Sequence, residues 1–256
     1  MPKVSVIMPA YNAEETIAVA IQSVLQQTFA DFEILIINDG STDNTLDIIN
    51  QFKDERLTVH SQMKRGLAGA RNTGIHHAEG EYIAFLDSND LWRQDKLMKH
   101  VRHLNRNSNI DISYSASLVI SDNGKSLGLY QLPKLKKITP QHIIARNPVG
   151  NASAPVVRKS AFEKIAFYAP DMDRRICYFD ESFKRSEDIE CWARLALQAN
   201  AKFEGISAPL TLYRIKSSNP SASIQKQHEN GNRFIAKARA DAPKFTQKVT
   251  PRARGY

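Results

Sequence analysis

The chain is poor in the features that mark several common classes. Its 256 residues include only two cysteines, Cys177 and Cys191, in no CxxC spacing. That argues against a disulfide framework or a cysteine zinc site and predicts free thiols in a reducing cytoplasm. No apolar run approaches the roughly 18 residues of a membrane span. The start, MPKVSVIMPAYN, lacks a signal-peptide core and its small-residue cleavage site. No G-x-G-x-x-G opens the first helical segment, which speaks against a dinucleotide-dependent oxidoreductase. Without zinc-finger spacing or an RNP-like aromatic motif, nucleic acid is not an expected partner.

The body of the chain also has little net charge. The formal total is +8, but nine Lys/Arg from Lys216 to Tyr256, against Glu229 and Asp241, account for +7 of it. Such a basic tail is either a solvated end or a means of approaching anionic lipid at the inner membrane face. A short helix near 227–240 would fit within it, and His228 is a remote candidate for reaching a metal.

Short Val- and Ile-rich runs are present at VSVIMP (4–9), EILIIN (33–38), LTVHS (57–61) and YIAFLD (82–87). Near-continuous apolar runs of this length suit parallel strands covered on both faces. Between them, residues 14–27, the segment after Ser41–Asp43, residues 66–78 and residues 94–104 carry helical spacing. Strand–helix alternation with short joints predicts a three-layer α/β sandwich with a mostly parallel central sheet. Further on, 110–120 alternates like a strand and DNG (122–124) signals a turn. SEDIECWARLALQA (186–199) reads as a capped helix, and KFEGI (202–206) and LTLYRI (210–215) read as two strands. Residues 125–150, punctuated by Lys and Pro, resist assignment.

In such sheets the ligand sits beyond the carboxyl ends of the strands. That rule gathers Pro9–Asn12, Asn38–Thr42 and Asp87–Asp90 on one rim. Each group has an ordinary reading: Tyr11 as a lid on the sheet end, Asp39-Gly40 as a turn, Arg71 as a surface cation, FLDSND as a strand-closing turn. Together they suit one ligand. An aromatic stacks on a base, a carboxylate accepts an imide N–H, and Asp87 with Asn89 supplies hard oxygens for Mg²⁺ or Mn²⁺ beside a diphosphate. Trp92 and Trp192 are candidates for stacking on an acceptor sugar, with core packing as the competing role.

Residues 4–92 closely resemble the family 2 nucleotide-sugar glycosyltransferases of the GT-A fold. The matching text is VSVIMPAYNAEETI, SVLQQTF, FEILIINDGSTDNT, RGLAGARNTGI and GEYIAFLDSNDLW, followed more thinly by FDESFKRSEDIECWARLA (179–196) and PLTLYRI (209–215). The resemblance implies a GT-A domain over 1–216, with a nucleotide-binding half (1–108) and an acceptor half (109–216), then a basic extension (217–256). It implies a nucleotide-sugar donor, a UDP-sugar above others, and a glycan or lipid-linked acceptor in surface polysaccharide or glycoconjugate synthesis.

Position by position, it implies that Tyr11 and Asp39 hold the base, with Pro9, Asn12 and Ser88 beside them. Arg71 approaches the nucleotide, and Asp87 contacts ribose or metal-bound water. The second acid of the family's D-x-D falls on Asn89, where Asp90 is a candidate to help hold the divalent cation. Asp188 matches the catalytic base, which removes the acceptor hydroxyl's proton in a single inverting displacement. Glu187 is a candidate for supporting the acceptor or orienting neighbouring groups. A nucleotidyltransferase would want a Gly-rich, Arg-containing loop after the first strand, which PAYNAEE does not supply. A catalytically weak or inactive nucleotide- or glycan-binding protein is the alternative that Asn89 keeps open.

Overall fold

Alternation of buried strands and one-sided helices sets the architecture. The structure, a computed structural model, describes residues 1–145, 147–169 and 174–215. Strand β1 (Val4–Ala10) is buried throughout, and β2 (Phe32–Asn38) almost so. Between them α1 (Ile17–Leu25) buries Ile17, Ala20, Ile21 and Val24, the face its spacing predicts. Next come α2 (Thr45–Ile49), the half-exposed edge strand β3 (Leu57–Ser61), α3 (Gly66–His77) and β4 (Tyr82–Phe85). Strands β3, β2, β1 and β4 lie in that order and all run parallel. A short β5 (Leu91–Trp92) and α4 (Lys96–Arg106) complete the first part.

The rest of the chain extends the same sheet. β6 (Ile112–Ile120) turns at Ser121–Gly124 into β7 (Ser126–Gln131), followed by α5 (Pro140–Ala145). β8 (Val156–Arg158) leads into α6 (Lys159–Glu163), and β9 (Phe167–Tyr168) pairs with β10 (Ile176–Cys177). Helix α7 (Glu187–Leu197) precedes β11 (Phe203–Arg214). β8 is wedged antiparallel between β4 and β6, β11 runs parallel to β6, and β5 closes the order. The two strands expected at 202–206 and 210–215 are one. Its register slips on either side of Pro209, which has no N–H to give the ladder.

The sheet has two cores. One face packs Ile7, Leu35, Ile37 and Phe85 with Trp192 and Leu195 of α7. The other packs Val6, Met8, Ile34 and Ile36 with α1 and with Leu97 and Val101 of α4. Each such buried side chain contributes roughly 1.5–3 kcal/mol. Helix α3 lies so close to β1 that a Cβ on Gly74 would come within 2.3 Å of Ile7 Cγ2. Cys177 and Cys191 are both buried free thiols. No helix among the described residues is long and apolar enough to cross a membrane. The expected basic extension 217–256, the helix near 227–240 and His228 lie outside the described residues.

Candidate active site

The carboxyl ends of β1, β2 and β4 meet as the parallel order requires. Pro9, Tyr11, Asn12, Asp39, Asp87, Ser88 and Asn89 all line one cavity of about 350 Å³. Loops after β1 and β2 are stitched together. Asn12 takes a left-handed φ of 46°, and its Oδ1 accepts the Thr42 N–H at 2.9 Å. The Ala13 N–H donates to Thr45 Oγ1 at 2.7 Å. Asp43, two residues before α2 begins, accepts the Thr45 N–H and hydroxyl and so fixes the entry to the helix.

Asp39 is buried at the root of the cavity. Its Oδ1 accepts from the Arg65 N–H (2.8 Å) and Gln62 Nε2 (2.7 Å), and its Oδ2 from the Gly66 N–H (2.7 Å). Gly66 has φ +82°, a conformation that suits glycine and aims its N–H at the carboxylate. A carboxylate has about four acceptor positions, so one remains for a base N–H. Tyr11 is half exposed at the cavity mouth, with Lys64 Nζ 3.6 Å from its ring centroid. Lys64, Gly66, Leu67 and Ala70 also line the cavity. Sequence reasoning missed Lys64 because an isolated Lys before a helix carries no signal of its own.

Arg71 is placed differently from the expectation. It is 1% exposed and does not line the cavity. Its guanidinium bridges Asp87 Oδ1 (2.8 Å) and Glu187 Oε1 (2.6 Å). Burial alone would lower its pKa, but the Asp87, Glu187 and Asp188 carboxylates outweigh that and hold it above the usual range. Arg71 thus clamps α7 to the rim of the cavity from behind its wall, where the resemblance implied an approach to the ligand. Its neighbours in the sequence reinforce the clamp. Asn72 Oδ1 accepts the Tyr178 and Phe179 N–H groups, and its Nδ2 donates to Phe179 O. Arg65 pairs with Glu181. The two motifs RGLAGARNTG and FDESFKRSEDIE are therefore partners in space.

Asp188 sits half-buried in the first turn of α7, after Ser186 in a left-handed conformation (φ 60°). Burial raises its pKa well above the usual carboxylate range and the Glu187 charge adds to this, while Arg71 opposes it. Glu187 is buried and engaged with Arg71, which fits orientation of neighbouring groups and not contact with an acceptor.

Three further candidates belong to the scaffold. Asp90, a candidate metal ligand, is 1% exposed and faces away, accepting from Ser153 Oγ (2.6 Å) and the Arg214 N–H (2.9 Å). The Arg214 side chain in turn donates to Asn89 O, Ser121 O and Asp122 O, fixing the turn. Trp92, a candidate acceptor platform, is core: it is buried, and Nε1 donates to Ser153 O at 3.0 Å. Trp192 is likewise wholly buried.

Among the described residues no group of three or more His, Cys, Asp or Glu could hold a metal alone. The donors that remain are the Asp87 carboxylate, with one oxygen taken by Arg71, and Asn89, both lining the cavity. One carboxylate plus an amide oxygen fits Mg²⁺ or Mn²⁺ completed by substrate phosphate and water, and does not fit a cage that holds the ion by itself.

Comparison with known proteins gives a consistent family. Residues 5–166 match the family model described as Glycosyl transferase family 2. The Escherichia coli protein WfgD, a UDP-Glc:alpha-D-GlcNAc-diphosphoundecaprenol beta-1,3-glucosyltransferase, is 32% identical over 225 residues, covering 88% of this chain and 81% of that protein. The crystal structure of S. aureus TarS 1-349 in complex with UDP superposes with a TM-score of 0.65 at 24% identity, over 91% of this chain and 65% of the TarS 1-349 chain. The mannosyltransferase PcManGT from Pyrobaculum calidifontis, in complex with GDP-Man and Mn2+, gives a TM-score of 0.65 at 18% identity, over 98% of this chain and 69% of that one. At these identities the two structures speak for the fold.

Proposed function

The chain belongs to glycosyl transferase family 2, and from that premise we propose that it moves a sugar from a UDP-sugar to a hydroxyl of a lipid-linked acceptor in polysaccharide synthesis, with inversion. The observation that carries this reading is the single cavity shared by Tyr11, Asp39, Asp87 and Asn89, with the start of α7, which carries Asp188, tied to its rim by the Arg71 bridge from Glu187 to Asp87. WfgD uses UDP-Glc and a diphosphoundecaprenol acceptor by its name, and TarS binds UDP, which supports a uridine donor and a lipid-borne acceptor.

The residues divide the work. Tyr11 offers a face for the base and Asp39 an acceptor for its imide. Asp87 and Asn89 would hold a divalent cation, which when bound neutralises charge on the departing diphosphate. Asp188 takes the proton of the attacking hydroxyl, and a raised pKa makes it a stronger base than a solvated carboxylate. Arg71 keeps Glu187, and so the start of α7, in register with Asp87. Attack from the face opposite the leaving group implies inversion at the sugar carbon.

The test is UDP release from UDP-glucose, UDP-N-acetylglucosamine and, for contrast, GDP-mannose as donor (read as GDP release), with Mn²⁺ and a polyprenyl-diphosphate-linked sugar as acceptor. Acceptor-dependent release from a UDP-sugar is expected. Tight nucleotide binding without turnover across an acceptor panel would instead favour a binding protein, the reading that Asn89 supports.

A further inference from the structure

From Asn123 to Phe162 there is no Asp or Glu, while Lys125, Lys134, Lys136, Lys137, Arg146, Arg158 and Lys159 fall in the same span. The structure turns part of this span into an exposed strap. Strand β7 lies at the sheet margin, paired only with β6, and almost every residue of it is exposed. Leu127 (44%), Leu129 (59%), Tyr130 (54%) and Leu132 (76%) are open to solvent on both faces of the strand. Lys125, Lys134, Lys136 and Lys137 are exposed around them. Apolar side chains on both faces of an edge strand have no core to join, and a patch of this kind marks an interaction surface.

Charge selects the occupant. A second copy would bring the same lysines to a two-fold contact. The chain's own end from Lys216, with nine Lys/Arg against two acids, carries the same sign. What complements leucines framed by lysines is a surface with anionic headgroups over hydrocarbon. We propose that the strap from Lys125 to Lys137 docks the protein on an anionic phospholipid bilayer, Leu127, Leu129, Tyr130 and Leu132 entering the interface and the lysines meeting the phosphates.

The position of the strap suits this role. A broad groove of about 1120 Å³ opens beside it, lined by Tyr130, Leu132, Lys134, His142, Val149 and Gly150 among others. A lipid-borne acceptor lying in the bilayer would reach the groove from the docked side. Docking holds whichever sugar and acceptor the active site takes, so its failure would leave the proposed transfer intact.

Flotation with phosphatidylcholine vesicles, with and without phosphatidylglycerol, tests the proposal on the full-length chain. Wild type should float only with phosphatidylglycerol. The combined variant Leu127→Ser, Leu129→Ser, Leu132→Ser and the combined variant Lys134→Gln, Lys136→Gln, Lys137→Gln should each partition at least about tenfold less, since one lysine at an anionic surface is worth roughly fivefold. Melting temperatures close to wild type would show that both variants fold, and the lysine set gives a second answer if the leucine set does not. Neutralising the Lys/Arg from Lys216 to Arg254 should leave most of the flotation. The proposal is overturned if folded strap variants float like wild type, or if tail neutralisation alone abolishes flotation. It is equally overturned if wild type ignores phosphatidylglycerol, or if the leucine variant only dissolves a dimer.

Discussion

Two cavities among the described residues are built on different terms. The smaller, at the ends of β1, β2 and β4, is walled by side chains whose polar atoms are tied to one another across loops: Asp39 to Arg65 and Gly66, Asn12 to Thr42, Asp87 to Arg71. The larger groove beside β7 is walled by Tyr130, Leu132, Pro133 and Lys134 from a mostly exposed segment. The first is preorganised for one ligand, and fixed donors cost little to engage. The second is broader, and its ties, Lys134 with His142, Thr139 with His142 and Asn147 with Gly150, run within one segment instead of across distant loops. On the proposed reading that suits a large acceptor. A donor site must place a diphosphate against a base to a fraction of an ångström, whereas an acceptor site has only to deliver one hydroxyl.

The sharpest test is at Asp188, in the first turn of α7, which Arg71 ties to the smaller cavity through Glu187. Asp188→Asn keeps the shape but removes the base, and should lower kcat by about 10²- to 10⁴-fold. UDP affinity, measured by calorimetry, should stay within about twofold, because the donor cavity does not include this residue. Unchanged kcat would remove the base assignment. The raised pKa of Asp188 adds a pH signature. Activity should rise with pH as the residue loses its proton, with a midpoint above the ordinary carboxylate range, and the variant should lose that limb.

Arg71→Met should come next in size, and on stability. It leaves Asp87 and Glu187 facing each other without their shared cation, a situation that typically costs about 3–5 kcal/mol. Denaturant melts would read this loss. A drop below about 1 kcal/mol would show that the clamp between α3 and α7 is dispensable.

A smaller effect separates the two residues proposed to contact the base. Tyr11→Ala should weaken UDP binding by roughly tenfold, or about 1.4 kcal/mol, and leave the melting temperature almost unchanged, since the ring is exposed. Asp39→Ala should weaken binding and also lower the melting temperature, because it orphans the Arg65 and Gly66 N–H groups. Equal melting behaviour in the two variants would contradict the assigned geometry.

The same contrast explains what the sequence disclosed. The first hundred residues could be read because parallel strands buried on both faces leave unbroken Val/Ile runs, and because the strand ends carry acids that sheet topology gathers on one rim. The rim of Pro9, Tyr11, Asp39 and Asp87 followed from that rule alone. Arg71 did not, because its spacing on α3 does not reveal that α7 packs above it and turns a supposed surface cation into a buried one. Trp92 and Asp90 were equally opaque. Their partner, Ser153, sits in a segment whose only nearby strand is three residues long. Residues 125–150 gave no pattern because β7 has no buried face to impose one.

Asp90 supplies the mildest and most specific prediction. Burial raises its pKa from 3.8 to about 7, with the Asp87 charge adding to it. The folded state therefore binds this proton more tightly than the unfolded chain does. Its contribution to stability is fully present below pH about 4 and is lost as pH rises towards about 7. Asp90→Asn is neutral at every pH and keeps an oxygen for the Arg214 N–H, while the Ser153 hydroxyl can turn to accept from the amide. The melting temperature of wild type relative to this variant should accordingly fall between pH 4 and 7 and level off above. A flat difference would mean that Asp90 stays ionised in the fold. The turn after β4 would then be held by the Arg214 backbone and its side-chain bonds to Asn89, Ser121 and Asp122, without a proton shared between Asp90 and Ser153.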